Sequence, residues 1–201
     1  MRLLLASESP RRRELLERLG LEFDIVAPDV DETRFPEETP AAYVERVARS
    51  KAAAVAGDGL IVVAADTTVV HEGRVMGKPG HPEEARAMLR RVQGDVHEVF
   101  TGLAIGSWDG SPEVKSVVDV AEVTMLPMTE EEIAWYVGTG EPLDKAGAYA
   151  LQGLGGMFVS RVVGSPFTVI GLPVHLLSRL VSASGGDLRT FRNGVPGSFS
   201  A

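Results

Sequence analysis

Apolar residues along this chain follow two rhythms, short unbroken runs and helical stripes, and the exchange between them begins within the first residues. Leu3-Leu4-Leu5-Ala6 is an unbroken run that predicts a buried strand. It gives way at Ser9-Pro10, a cap followed by proline at the first helical position, to a helix carrying Leu15 and Leu16 that Gly20 stops. Thr39-Pro40 repeats that signal ahead of a helix over 41–56, and its apolar stripe of Val44, Val47, Ala48 and Val55 also contains Lys51. Leu60 to Ala65 predicts a strand buried on both faces and ending at Asp66, which places a carboxylate at the strand's C-terminal end. Residues 67–71 extend from there toward a hairpin through Glu72-Gly73.

The second half reads less evenly. A helix over 82–92 carries Glu83 and Glu84 early and Arg90 and Arg91 late, as the helix dipole prefers. The β-rich runs 96–105 and 114–125 predict an antiparallel pair joined through Trp108-Asp109-Gly110-Ser111-Pro112. Thr129 with Glu132 forms a capping box for a helix bearing Ile133, Trp135 and Tyr136. Residues 138–156 are rich in glycine and lack periodicity, 157–163 and 167–170 read as strands, and Pro173 opens a last helix to about Val181. Beyond Ser182 the chain turns to Gly, Ser and Asn, so 1–183 reads as one domain and 184–201 as a flexible tail. The mixture predicts an α/β domain with a mixed sheet flanked by helices. The G-x-G-x-x-G and P-loop spacings are missing, so neither a Rossmann nor a P-loop site fits.

Composition narrows the chemistry. The 201 residues are enough for a sizeable core, and 44% hydrophobic with 24% charged is ordinary for a soluble globular protein. With no cysteine there is no disulfide framework, thiolate nucleophile or cysteine zinc site, so a metal must be held by oxygen or imidazole. His71, His81, His97 and His175 are scattered without ligand spacing. Met1-Arg2 is followed by too few apolar residues for a signal peptide and no run approaches a membrane span, so a cytoplasmic protein without a membrane partner is expected. A formal net charge of −8 argues against nucleic-acid binding.

Against that acidic background one turn stands out. Arg11, Arg12 and Arg13 crowd a helix N-terminus, where the dipole disfavours cations. Free backbone N–H groups, the Ser7 and Ser9 hydroxyls and guanidinium forks are together what a polyphosphate needs. A small, multiply charged anion suits such a site better than a polymer.

Leu5-Ala6-Ser7-Glu8-Ser9-Pro10-Arg11-Arg12, Val30-Asp31-Glu32, Ala65-Asp66-Thr67, Gly77-Lys78-Pro79 and Lys145-Ala146-Gly147-Ala148-Tyr149-Ala150-Leu151-Gln152-Gly153 occur in order, and as a set the chain resembles the Maf family from residue 3 to about 181. The resemblance implies a house-cleaning nucleoside triphosphate pyrophosphatase. Such an enzyme cuts the α–β phosphoanhydride to a monophosphate and pyrophosphate with a divalent metal, Mg²⁺ or Mn²⁺. It also implies a fold similar to that of inosine triphosphate pyrophosphatases, an elongated mixed sheet with a cleft between two lobes, and a homodimer, which is common in the family. The branch acting on dTTP and UTP has Arg, Thr and Gln where this chain has Arg11, Thr67 and Gln152. A Gln amide offers one donor and one acceptor, matching O4 and N3–H of thymine or uracil, in normal or modified triphosphates.

Residue chemistry and the resemblance together give the roles. Ser7, Arg11 and Arg12 form a phosphate clamp, with Arg13 outside it because consecutive helical side chains diverge. The resemblance brings Lys51 and Lys78 to the triphosphate. Asp66 is expected as general base and metal ligand, since a carboxylate on an apolar strand is costly unless paired or bound to a cation. Glu32, beside Asp31, is expected as the other metal ligand, and Thr67 and Gln152 to read the base or position the sugar. Each has a plainer reading: arginines paired with Glu14 and Glu17, a lysine whose ammonium snorkels to water, an exposed acidic loop, and ordinary backbone bonding in a loop. The rival function is a non-catalytic nucleotide-binding regulator of cell division. A carboxylate among cations favours the hydrolase.

Overall fold

The computed structural model describes residues 1–55, 57–108 and 112–192. In chain order the elements are β1 (Arg2–Ala6), α1 (Pro10–Arg18), β2 (Asp24–Val26), α2 (Pro40–Ala54), β3 (Leu60–His71), β4 (Arg74–Met76), α3 (Pro82–Val92), β5 (Val96–Trp108), β6 (Pro112–Met125), α4 (Glu130–Gly138), β7 (Val159–Val163), α5 (Pro166–Ile170) and α6 (Val174–Ala183). This is the expected α/β fold with one mixed sheet flanked by helices. The sheet runs β2–β1–β3–β5–β6–β7, with β4 also on β3. β1 is parallel to β2 and β3, and every other pairing is antiparallel. The turn expected between β5 and β6 falls at 109–111, outside the described residues.

β3 does not end at Asp66. Antiparallel pairing with β5 continues through Asp66↔Gly102 and Thr67↔Thr101 to Val70↔Glu98, so the β-branched Thr67-Thr68-Val69-Val70 run prolongs the strand and Asp66 lies mid-strand. What opens space beside the buried Asp66 is the other edge. There β1 pairs only as far as Leu5↔Val63, and β4 begins at Val69↔Met76, so the middle of β3 has a neighbour on one side alone.

Strand alternation then sorts the core. Val62 and Ala64 face α2, packing with Leu4, Ala6, Ala48, Ala52 and Ala104. On the opposite face Ile61, Val63 and Ala65 join Leu15 and Leu16 of α1 and Leu177 and Val181 of α6 in one cluster. Further along that face Val69, Val99 and Val123 join Leu89, Ile133 and Tyr136 from α3 and α4 in another. Thr67 and Thr101 lie on this face between the two clusters.

Three further expectations change. Residues 167–170 form α5, a helix: Ser165-Pro166 is the cap-and-proline start, and Gly171 at φ 112° ends it. A four-residue apolar run does not distinguish strand from helix by periodicity. β7 begins at Val159 because Leu154–Phe158 is a 3₁₀ turn. Residues 184–192, assigned to the tail by composition, carry a 3₁₀ turn at Leu188–Phe191 whose Phe191 is buried against the α1/α6 cluster. The Phe191 carbonyl accepts from Glu22 N at 2.6 Å, which pins this segment beside Leu21.

Candidate active site

The gap beside β3 opens into a cavity of about 470 Å³, lined by all nine residues singled out from the sequence: Ser7, Arg11, Arg12, Glu32, Lys51, Asp66, Thr67, Lys78 and Gln152. They arrive from six separate segments. α1 follows β1 directly and turns Arg11 and Arg12 inward, while Arg13 lies outside and pairs with Glu17 at 2.7 Å. Ser9 caps by backbone position only, with no side-chain cap bond; Ser7 Oγ accepts from Ser9 N at 3.2 Å instead.

Lys51 is the centre of the charge arrangement. Its Nζ donates to Asp66 Oδ1 at 2.9 Å and lies 2.9 Å from Glu32 Oε1, so the two carboxylates expected to bind metal converge on one cation. Burial raises the pKa of Asp66 above its ordinary value, opposed by the positive charges of Lys51 and Arg12. α2 reaches this depth because Gly102 stands opposite Asp66: a Cβ there would lie 2.3 Å from Val44 O, so only glycine lets the helix backbone rest on the sheet.

Arg12 is buried and more deeply tied than a surface clamp. Nε donates to Gly171 O at 2.8 Å, Nη1 to Ser7 Oγ at 3.1 Å and Nη2 to Thr67 Oγ1 at 3.2 Å. These use three of its five N–H groups and fix the fork across the cleft floor. Burial lowers its pKa, partly countered by Asp66, though guanidinium remains the charged form. Thr67 points to the opposite face of β3 from Asp66, and its hydroxyl is engaged with Arg12 and, at 2.9 Å, with Thr101 Oγ1. Thr101 Oγ1 in turn donates to Thr168 O at 2.8 Å.

Arg11 lies 3.8 Å from Asp144, whose carboxylate also takes Lys145 Nζ. Lys78 and Gln152 are exposed at the cavity mouth. The segment before Lys78 is joined to the Gln152 loop by Gly147 N donating to Gly77 O at 3.1 Å.

Sequence reasoning missed two lining residues. Lys145 is largely buried and donates to Glu141 O at 3.1 Å; its place in the 145–153 motif was the available signal. Tyr43, on α2 two turns before Lys51, donates to Glu32 O at 3.1 Å and so ties the Glu32 loop to the helix. Burial, with Asp66 and Glu32 nearby, pushes its phenol up to about 12.

The chain is 51% identical over 188 residues to the dTTP/UTP pyrophosphatase of Anaeromyxobacter dehalogenans (strain 2CP-C), covering 93% of this chain and 96% of that one. It is 48% identical to the dTTP/UTP pyrophosphatase of Hahella chejuensis, covering 86% and 87%. It is 47% identical to that of Moorella thermoacetica, covering 93% and 97%. Among solved structures, the Staphylococcus aureus Ham1 protein superposes with a TM-score of 0.44 at 13% identity, over 91% of this chain and 99% of that one. The family model described as Maf-like protein matches residues 2–184, a span that takes in every segment around the cavity, and this chain belongs to that family.

Proposed function

We propose that this protein is a nucleoside triphosphate pyrophosphatase that hydrolyses the α–β bond of dTTP and UTP, releasing the monophosphate and pyrophosphate. The names of its relatives support the substrate class, and one structural observation carries the chemistry: a buried carboxylate, Asp66, held by Lys51 within a cavity whose other charged groups are chiefly cations. Arg12 is preorganised by its three bonds and keeps two N–H groups for phosphate oxygens, while Arg11, Lys78 and Lys145 surround the same space. Asp66 accepts the proton of the attacking water. The new bond forms from water oxygen to the α-phosphorus, the anhydride bond opposite breaks, and pyrophosphate leaves with its charge neutralised by the cations.

The residues also fit a hard divalent cation. Two carboxylates, Glu32 and Asp66, each lie 2.9 Å from Lys51 Nζ on the cavity wall and would be the ones to hold it, since Mg²⁺ or Mn²⁺ needs one or two carboxylates plus phosphate oxygens and water. When bound, such a cation supplies charge stabilisation to the triphosphate. Cytoplasmic nucleotide pools are the natural setting, and the homodimer implied by the resemblance belongs to the same reading.

Pyrophosphate release from UTP, dTTP, CTP and GTP is the direct test. Asp66→Asn is expected to lose about 10²- to 10⁴-fold in turnover while still binding nucleotide. Near wild-type turnover would refute Asp66 as base. No release by the wild-type protein from any triphosphate would favour the cell-division regulator.

A further inference from the structure

Gln152 is exposed and makes no anchoring bond of its own among the described residues, yet the backbone on either side of it is fixed by two side chains, the buried Tyr136 and the half-buried Glu141. Two residues before it, Ala150 N donates to Tyr136 Oη at 3.1 Å. Two and three residues after it, Leu154 N donates to Glu141 Oε2 and Gly155 N to Glu141 Oε1, both at 2.9 Å. The two anchors are themselves joined, since Tyr136 Oη donates to Glu141 Oε1 at 2.7 Å. One phenol and one carboxylate thus hold three backbone N–H groups of a single loop.

The glycines of this loop record how tightly it is closed. A Cβ on Gly153 would lie 2.2 Å from Glu141 Oε2, and one on Gly155 would lie 2.4 Å from Tyr136 Oη. The Gly-x-Gly spacing after Gln152 is therefore a packing requirement of the anchors. Burial would raise the pKa of Glu141, but the hydrogen bonds from Gly155, Tyr136 and Leu154 outweigh it and hold the group below its ordinary value, so the anchor is an ionised acceptor.

We infer that Tyr136 and Glu141 are specificity-positioning residues: they clasp the 150–155 loop so that the Gln152 amide is presented to the pyrimidine edge in one orientation. This rests on the reading of Gln152 as the base-selecting residue. Neither anchor lines the cavity, and of the cavity's cations only Lys145 meets one of them, at the Glu141 backbone carbonyl, which a side-chain change leaves in place, so the anchors act through the loop. Glu141→Gln keeps the shape but puts an amide NH₂ where a backbone N–H already points, which leaves one donor unsatisfied and shifts the loop.

The test measures kcat and KM with UTP and CTP for wild type, Glu141→Gln and Gln152→Ala. Glu141→Gln is expected to reduce kcat/KM for UTP roughly tenfold, through KM, while CTP changes less than about twofold, so that the UTP/CTP ratio falls. Gln152→Ala is expected to lower the same ratio, and the double variant to lower it no further, because the two act in one line. Parallel losses for UTP and CTP in Glu141→Gln would overturn the inference. So would an unchanged ratio in Glu141→Gln where Gln152→Ala lowers it, with the reading of Gln152 intact. If Gln152→Ala leaves the ratio unchanged, that reading is wrong and the inference falls with it. Should Glu141→Gln not fold, Tyr136→Phe removes only the hydroxyl and decides by the same ratio.

Discussion

Lys51 and Asp66 form a 2.9 Å ion pair in which each side chain is only 9% exposed. Removing one member of such a pair costs more than the pair is worth, because the other charge stays buried without compensation. Lys51→Met is therefore expected to lose about 3 kcal/mol at pH 8 by urea unfolding, and Lys51→Met with Asp66→Asn much less. The sign with pH follows from Asp66. Without Lys51 its folded pKa rises further above the unfolded value, so the folded state holds a proton the unfolded chain has released. Stability of Lys51→Met should then fall as pH rises through that window, and the deficit against wild type should shrink in acid. A deficit independent of pH would contradict the pairing.

Gly102 governs the same pair from across the strand. A methyl at 2.3 Å from Val44 O forces α2 away from the sheet by about 1 Å, and Lys51 moves with it. Gly102→Ala should cost about 1–3 kcal/mol and, through misplacement of the catalytic groups, on the order of 10² in kcat. Gly138→Ala is the control, since nothing lies within 4 Å of its added Cβ; its stability should stay within about 0.5 kcal/mol of wild type.

The two inward arginines should separate by stability. Arg12→Ala leaves Gly171 O, Ser7 and Thr67 without a shared donor, so thermal unfolding should show a loss of about 3 kcal/mol together with loss of turnover. Arg12→Lys should not rescue it, because an ammonium cannot span the same fork. Arg11 faces Asp144 at 3.8 Å, and Arg11→Ala should change stability by less than about 1 kcal/mol while still impairing UTP hydrolysis. Equal destabilisation by both would show that the bonds of Arg12 do not carry the difference.

These relationships mark the line between what was legible in the chain and what was not. Helix starts were readable because cap-and-proline pairs at Ser9-Pro10 and Thr39-Pro40 act locally, and α3 matches its predicted bounds, 82–92. Ser165-Pro166 carries the same signal, but the apolar run that follows it is too short to show a period and reads as a strand. The nine candidate residues do meet in one cavity, Arg11, Arg12 and Lys51 from helices, Asp66 and Thr67 from β3, and Ser7, Glu32, Lys78 and Gln152 from loops. What sequence could not supply is direction. Asp66 and Thr67 are neighbours in the chain, yet strand alternation sends one to Lys51 and the other to Arg12 and Thr101. The break between β1 and β4 that opens the cavity beside them is a property of pairing between distant segments and leaves no local trace.

His97 offers a pH dependence of opposite sign to that of the Lys51 variant. It is buried at the end of β5 beyond the cavity, with Nε2 2.8 Å from Tyr149 Oη and Nδ1 lacking a partner among the described residues. Burial lowers its pKa to about 4, with His71 adding to the effect and Asp95 opposing it. Between the unfolded value near 6.5 and the folded value, the unfolded chain binds the proton and the native state does not, so stability is full above that window and falls as pH drops through it. The contribution lost between pH 7 and pH 5 is about 2 kcal/mol. Urea midpoints of wild type and His97→Gln across that range isolate it, because every carboxylate common to both proteins cancels in the difference. The variant should be less stable than wild type at pH 7 and close most of that gap by pH 5. Parallel curves would mean that His97 titrates alike in both states and that its burial is relieved by a route the Tyr149 contact does not provide.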